Sequence, residues 1–560
     1  VAADVEYHVR RYQRLKAKRA LFDILNQEVA EFLLPYRSVI TRKRPEGAKQ
    51  TDRLFDATPG HALELLASNI HGSVTNPQAR WFTLKMREKQ FNDMPNVRLW
   101  LDEVEERMYL ALQQSNFNPE TNEVYLDLGA FGIGCLYIEE KDKVVTEGAT
   151  SFGGLRFRAF PPGGFAIDED ADGRVDTCYT SHKLTARAVV QRWSNPNDHG
   201  KLIADMARDK PEQEYEILHC VGPRTSYDPS KVTAKNKAIY SLWIALPHNK
   251  LLGEGGYEEF PYVVPRWSKT SGEMYGRSPA HTALPDVRTL NRCVELTLES
   301  AAASVAPPVE VPNDGVIGDL DLRAHGVNTV DDSMSPGKPV IKPIQLGANF
   351  DVSQVLSQDL RARIQHIFFY EQLQLPQDQT MTATEVRERT IRILRLLAPW
   401  LSRLESEYLN LIINRVFGLM LRANALPPLP DELQGQDMDI EYEGPLAQAQ
   451  KHQHIEAFQA WLATMLPLIQ IKPDILDNLN TDQLGRDLAL DLGWSSRWLA
   501  DPQQRDQMRA QRQQAAQRQA DMDKASQVAE MAKNASPALD SLTNMGQAMG
   551  SPNGQTRVAA

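Results

Sequence analysis

The residues best equipped for chemistry are the carboxylates of Asp168-Glu169-Asp170-Ala171-Asp172-Gly173. Acidic side chains at loop positions 1, 3 and 5 with glycine at 6 reproduce the first half of an EF-hand loop, which offers hard oxygen ligands to a divalent cation. Position 12 requires a bidentate carboxylate and holds Tyr179 instead, and strand-like runs flank the loop. The spacing therefore predicts an acidic β-hairpin turn between 165–167 and 175–181. The alternative is a divalent metal on Asp168, Asp170 and Asp172 serving a nucleic-acid-processing enzyme. Ser278-Pro279 with His281 places a hydroxyl near an imidazole, but no G-x-S-x-G surrounds it. Serine before proline reads as an N-cap with proline at the first helical position. His452 and His454, two apart, fall on different helix faces and make no metal pair. No phosphate-binding G-x-x-x-x-G-K-[ST], dinucleotide-binding G-x-G-x-x-G or zinc-binding H-E-x-x-H occurs. The residues point to no enzyme, no metal and no cofactor.

The elements that would position these residues belong to a long chain. Its 560 residues exceed what one core accommodates, so several domains are expected. Apolar content of 42% and charged content of 24% are those of a soluble protein. The net charge of −11 and sequence pI near 5.7 argue against a broad basic grip on nucleic acid, leaving contact at a few points. Cys135, Cys178, Cys220 and Cys293 are scattered without C-x-x-C, as buried thiols in a reducing compartment would be. No apolar run reaches membrane-span length, and the basic amino terminus lacks a signal peptide's apolar core, so a soluble chain is expected.

Residues 5–34 read as a helix with Val9, Tyr12, Leu15, Leu21, Ile24, Leu25, Val29 and Phe32 inward, ended by Pro35. Thr58, as N-cap before Pro59, opens a second helix with Leu63, Leu66, Ile70 and Val74 buried. Residues 81–84 suggest a short strand, and helices follow at 97–115 and 120–128. From Gly129 the period changes to two. Strands are expected at 129–140, 155–160, 165–167, 175–181, 215–221, 239–245 and 262–267, with a helix inserted at 185–193. Strands that follow helices instead of alternating with them indicate an α+β block and not a doubly wound nucleotide fold.

The stretch 277–421 organises the rest. Residues 282–306 carry Leu284, Val287, Val294, Leu298, Ala301 and Val305 at helical spacing, interrupted by polar Asn291. Residues 351–373 repeat the pattern with Val352, Leu356, Leu360, Ile364 and Phe368. At about 1.5 Å per residue both helices come out at roughly 35–40 Å. Two matched helices around a Pro- and Gly-rich insert form an antiparallel strut with a small module at its tip. A Gln-rich loop at 374–380 precedes Thr382-Ala383-Thr384-Glu385, a capping box opening one long helix with Val386, Ile393, Leu397, Trp400, Leu404, Leu411 and Leu419 inward. Pro399 should kink it. After the break at 427–430 a helical unit from about 446 to 500 has Phe458, Trp461, Leu462, Leu466, Ile469, Trp494 and Trp498 as core candidates. The Gln-, Ala- and Arg-rich residues beyond 501 read as a lone helix followed by disorder.

Four blocks in this order carry a family resemblance: 56–77 (DATPGHALELLASNIHGSVTNP) with Trp81-Phe82, 129–140 (GAFGIGCLYIEE), 275–291 (YGRSPAHTALPDVRTLN) and 381–389 (MTATEVRER). The chain thereby resembles the portal proteins, or head-to-tail connectors, of short-tailed double-stranded DNA bacteriophages. The resemblance implies a mainly helical α+β portal fold that assembles as a ring, usually of twelve subunits, at one capsid vertex. It implies a wing at 1–267, a first stem helix at 268–306, a clip at 307–345 and a second stem helix at 346–373. A tunnel loop at 374–381, a long kinked wing helix at 382–426, a helical crown at 427–500 and a tail at 501–560 follow.

On the same analogy double-stranded DNA is packaged, retained and ejected through the ring, past loop residues Gln374, Gln377, Asp378, Gln379 and Thr380. Arg288, Arg292, Arg361 and Arg363 on the stem helices are candidates for sparse phosphate contacts. The alternative for these four is ion pairing between subunits with Asp286, Glu295 or Asp359. Implied partners are the terminase motor, tail adaptor and nozzle proteins, and the major capsid and scaffolding proteins, with no membrane. Assembly is expected in the host cytoplasm and residence in the virion. An internal scaffold or adaptor of the virion is the alternative function. An acidic chain suits a channel where DNA must move, because affinity rises with every phosphate neutralised.

Overall fold

The computed structural model describes residues 4–42, 45, 47–78, 80–92, 94–141, 144–146, 149–193, 208–228, 233–305, 309–310, 342–343, 350–370, 398–433, 440–443, 455, 457–467, 480–491 and 502–548. The chain divides into two compact units, Val1–Asn92 with Trp100–Ala463, and Asp93–Leu99 with Thr464–Ala560.

In the first unit, helices α1 (Val5–Leu33) and α2 (Thr58–Val74) lead to strand β1 (Thr83–Met86). The short α3 (Lys89–Asn92), α4 (Pro95–Gln113, of which the residues up to Leu99 belong to the second unit) and α5 (Phe117–Phe131) follow. Next come β2 (Leu136–Glu140), the hairpin β3 (Val144–Thr146) and β4 (Ala149–Ser151), then β5 (Leu155–Ala159) and β6 (Phe165–Glu169). Strand β7 (Val175–Thr185), α6 (Ala186–Arg192), β8 (Glu214–Pro223), β9 (Ile239–Ala245), β10 (Lys250–Tyr257) and β11 (Tyr262–Val263) complete the block.

Strands β10-β9-β8-β7-β6 form one antiparallel meander, and β11-β2-β5 a second antiparallel sheet. Both faces of the meander are buried. Tyr12 and Leu15 of α1 pack on Ala166, Tyr179, Leu218, Cys220, Tyr240, Leu242 and Ile244. On the opposite face Phe165, Ile167, Cys178 and Val221 meet Ile133, Cys135, Tyr137 and Tyr262 from the smaller sheet. This explains why the β8 sequence is nearly continuously apolar toward its end, where a half-solvated strand would alternate. Three of the four cysteines are buried here as free thiols. Strand β10 was not foreseen, because LLGEGG contains three glycines. It is an edge strand with a bulge between Leu251 and Gly253, and Gly256 allows an approach in which a Cβ would lie 2.4 Å from the Ala234 carbonyl.

Helix α1 departs from its expected face. Tyr12, Leu15 and Val29 are buried as anticipated, but Leu21 is 80% and Ile24 63% exposed. The second half of α1 turns polar groups inward: Arg19 pairs with Asp23 at 2.8 Å and donates to the Gly163 carbonyl at 3.1 Å. The Gln27 amide accepts from Ile40 and Thr41 and donates to the Ser38 carbonyl. These bonds fix the rotation of the helix and leave the apolar pair outside. In α2, Thr58 is the first helical residue and not the cap: Ala57 is the N-cap, and Asp56 just before it accepts from the Thr58 amide at 2.8 Å.

Helices α7 (Pro279–Val305) and α8 (Phe350–Ile367) pack against each other. Thr297 meets Ser353, while Asn291 and Arg361 both reach residues 53–56, so the pair runs antiparallel as expected. Leu284, Val287, Leu360, Ile364 and Phe368 are buried; Leu298, Val305 and Leu356, expected in the stripes, are exposed. Strands β12 (Val309–Glu310) and β13 (Lys342–Pro343) pair at the neck of the insert between the helices.

The later helix is continuous over residues 398–404, passes through a π-helical turn at Glu405–Leu409, and continues as α9 (Asn410–Arg422). The extra residue re-phases the helix. Leu404, Tyr408 and Ile412 form the buried line, and Leu411, expected inward, is 44% exposed. Pro399 is helical, and the residues before 398 lie outside the described ones. Strand β14 (Ile440–Glu443) pairs antiparallel with β1, a strand the sequence reading does not include, between the break at 427–430 and the helical unit expected from about 446. Leu462 and Leu466 are exposed and Phe458 and Trp461 only half-buried, correcting their placement in a core; Ile469, Trp494 and Trp498 lie outside the described residues.

In the second unit, α10 (Thr481–Asp491) and α11 (Pro502–Ala548) are joined through Asp482, whose carboxylate takes Arg509 at 2.7 Å. Helix α11 has 47 residues, about 70 Å at the usual rise. The helix expected beyond 501 is present, and the residues after Ala548 lie outside the described ones.

Candidate functional site

The base of the α7–α8 strut is where residues from distant parts of the first unit converge. Ser278 caps α7, its Oγ accepting from the His281 amide at 3.1 Å and donating to the Ala130 carbonyl at 2.7 Å. His281 reciprocates through Nδ1, which accepts from the Ser278 amide, so Nε2 carries the proton and donates to Asn26 Oδ1 at 2.9 Å. Burial and nearby Arg277 pull the His281 pKa down to about 4, keeping this arrangement neutral. The Ser/His pair is a helix start, not a nucleophile.

Just upstream, two glycines bring backbone against backbone. Gly132, left-handed at φ 75°, ends α5, and its carbonyl accepts from the Trp267 amide at 2.9 Å. A Cβ on Gly276 would lie 2.1 Å from that same carbonyl oxygen. Both glycines belong to blocks singled out in the sequence, and the contact joins the strand-rich block to the start of the strut.

Asn291, the polar break in the α7 stripe, accepts from the Phe55 amide and donates to the Arg53 carbonyl, each at 2.8 Å. Arg361 of α8 grips Asp56 through Nε at 3.0 Å and Nη2 at 2.7 Å. Burial raises the Asp56 pKa, but the bonds from Thr58 and Arg361 outweigh it and hold it below the usual carboxylate range. The segment 53–56 is thus stapled to both strut helices. Neither Asp56 nor Asn291 was foreseen in this role, although an asparagine inside an apolar stripe was the available signal.

The other three candidate arginines of the strut also have carboxylate partners within the chain. Arg288 meets Glu28 at 3.1 Å, Arg292 meets Glu295 at 2.7 Å and Arg363 meets Asp359 at 2.8 Å. All three are half or more exposed, so each pair contributes little stability and leaves guanidinium edges facing solvent. Gln374, Gln377, Asp378, Gln379 and Thr380, the capping box at 382–385, His452 and His454 lie outside the described residues, as does the insert 307–345 apart from β12 and β13.

The acidic loop is the turn of the β6–β7 hairpin, with Gly173 left-handed at φ 78°. Its carboxylates diverge. Asp168 binds Arg11 at 3.1 Å, while Asp170 accepts from the amides of Asp172 and Arg174 in its own turn. Glu169 takes Lys269 at 2.7 Å and pairs with Arg266. Buried Arg266 also holds Glu407 of the π turn, at 2.7 Å from Nη2 and 3.1 Å from Nε. Among the described residues no group of three His, Cys, Asp or Glu side chains could hold a metal ion. What the loop does is lock a hairpin, the segment 266–274 and the long helix together through one guanidinium.

The site is thus a helical strut stapled to a strand-rich block, with its ion pairs serving architecture. The model of the bacteriophage head to tail connecting protein family matches residues 8–499, and the chain belongs to that family. It is 29% identical over 482 residues to the probable portal protein of Bordetella phage BPP-1 and 29% identical over 479 residues to the portal protein of Salmonella phage epsilon15, covering 84% of each chain in both cases. The portal protein of Escherichia phage T7 is 22% identical over 435 residues, 75% of each chain. A solved structure of the virion of a native gene transfer agent particle aligns at 12% identity with a TM-score of 0.33, over 76% of this chain and 93% of that one. Among the described residues no helix is long and apolar enough to cross a membrane.

Proposed function

We propose that copies of this chain assemble side by side as a ring of twelve at one capsid vertex, a channel through which double-stranded DNA is packaged, retained and released. The observation that carries this reading is the unfinished burial of the strut in a connector-family chain. Leu296, Leu298 and Val305 on α7 and Val355 and Leu356 on α8 are exposed in the single chain. A neighbouring copy of the same strut would cover them, as a closed cyclic array requires. Residues 1–267 then form the wing, α7 and α8 the stem, and 307–345 the clip that docks the terminase motor and later the tail proteins. The loop 374–381 faces the DNA, the helix through the π turn crosses the wing, and 427–500 is the crown. Gln374, Gln377, Asp378, Gln379 and Thr380 line the passage, with Arg288, Arg292, Arg361 and Arg363 as sparse phosphate contacts. Their carboxylate partners temper those arginines, which suits a wall that DNA must slide past.

Electron micrographs of the purified chain at high concentration test the reading. Closed rings with countable symmetry support it; monomers and dimers alone overturn it. Shortening 374–380 separates the loop's role from assembly. Rings should persist while packaged DNA length or retention falls, and normal packaging would reduce the loop to a connector.

A further inference from the structure

We propose that the amino-terminal part of α11, from Arg505 to Arg518, is a sequence-independent docking site for the phosphate backbone of double-stranded DNA. The inference rests on the reading of the chain as a DNA-handling ring, but it concerns a different unit from the strut. The first observation is the reversal of charge. The whole chain is acidic, at −11, yet Arg505, Arg509, Arg512 and Arg518 face only Asp506 within this stretch. In the next stretch, to Met531, Lys524 is outnumbered by Asp521, Asp523 and Glu530.

The second observation is how the arginines are held. Asp482 of α10 meets Arg509 at 2.7 Å and Arg505 at 3.4 Å, and Asp506 meets Arg505 at 2.9 Å, so these two are fixed in place and the excess positive charge rests on Arg512 and Arg518. Arg512 and Arg518 lie beyond the reach of that carboxylate on exposed helix.

The third observation is what the helix lacks. From residue 506 to 531 every side chain is exposed, and in the basic stretch the positions between arginines are mostly Gln and Ala. Met508 is the one large apolar side chain between Arg505 and Arg518, so a protein partner has no apolar stripe to bury. A polyanion needs none. Arginine and glutamine both donate to phosphate oxygens, and the fourteen residues from Arg505 to Arg518 span about 20 Å, the rise of about six base pairs. The site commits to DNA phosphates and carries no groups arranged to read bases.

The test uses the full chain, a 30-base-pair duplex in two unrelated sequences, and fluorescence anisotropy between 50 and 300 mM NaCl. Arg512→Gln with Arg518→Gln removes two charges and, because the two residues have similar helix propensity, leaves the helix intact by circular dichroism. The expected result is equal affinity for both sequences, about tenfold weaker binding of the variant at 50 mM salt, and a log–log salt slope shallower by about 2. Unchanged affinity and slope overturn the proposal, as does a preference for one duplex. Native mass spectrometry of the same samples keeps the two readings apart. Rings with no arginine-dependent binding reject this site alone, whereas arginine-dependent binding by a chain that never forms rings rejects the ring and retains the site.

Discussion

Replacing Gly132 or Gly276 by alanine probes the contact on which the strut is mounted. At Gly132 the added methyl meets three backbone atoms, Arg277 C, Gly276 C and Gly276 O, all at 2.7 Å, in a residue already at φ 75°. The left-handed conformation costs an alanine about 1–2 kcal/mol, and forcing a methyl into packed backbone about 1–3 kcal/mol more. Gly132→Ala should therefore cost about 2–5 kcal/mol. Gly276→Ala carries no left-handed penalty, but its methyl would sit 2.1 Å from the Gly132 oxygen, displacing a carbonyl that holds the Trp267 amide. It should cost about 1–3 kcal/mol. Unfolding entropy near 2 cal/mol/K per residue, over a unit of several hundred residues, makes each kcal/mol worth about 1–2 °C. Losses of about 2–10 °C for Gly132→Ala and about 1–6 °C for Gly276→Ala are expected by differential scanning calorimetry. The double variant should cost less than the sum of the singles, since both methyls break one contact. Gly72→Ala is the control: exposed, helical and with nothing within 4 Å, it should gain about 0.5–1 kcal/mol. Melting of Gly132→Ala and Gly276→Ala no lower than that of Gly72→Ala would refute the reasoning.

Acid should loosen the strut's start. His281 titrates near 4 in the folded chain and near 6.5 unfolded, so between these values the unfolded chain holds more protons and stability falls as pH drops. The urea midpoint should decline from pH 6.5 to 4, and His281→Gln should flatten that slope; an identical slope contradicts the assignment. His182, pulled to about 3 by burial and by Arg158 and Arg192, should extend the decline below pH 4. Arg361→Ala leaves Asp56 without its guanidinium and should cost about 1–3 kcal/mol, measured by thermal melting, with the companion Asp56→Asn recovering part of it. Leu298→Glu with Val355→Glu, both on exposed strut surface, should leave monomer melting unchanged and abolish rings in native mass spectra.

Much of the fold was legible because burial follows period. The strand runs from 155 to 245, the paired strut helices and the hairpin at 168–173 all stand where alternation, helical spacing or turn residues put them. What periodicity could not see was polar burial. Leu21 and Ile24 lost their place in α1 to Arg19, Asp23, Asn26 and Gln27, whose bonds to particular backbone groups leave no trace in a hydrophobic pattern. Leu411 was misplaced because the π turn shifts the helix phase after it, a shift that still leaves Leu419 on the buried side. Leu298, Leu356 and Leu462 look like core residues in sequence but are exposed. At the site, the Ser278 cap was readable from serine before proline, whereas the grip of Asn291 and Arg361 on residues 53–56 depends on a chain separation of more than two hundred residues.

The π turn also bears on engineering. Glu407 and Tyr408 are consecutive, yet the first reaches Arg266 and the second reaches Thr121 of α5 at 3.3 Å. A regular helix would turn about 100° at each residue and could not keep both partners while also seating Trp400 on Trp267 and Ile412 in the interior. Idealising this helix would therefore require deleting one residue and rewriting one whole side of it. Substitutions here are tolerated or rejected position by position, but a change of length by one acts on both flanking layers at once.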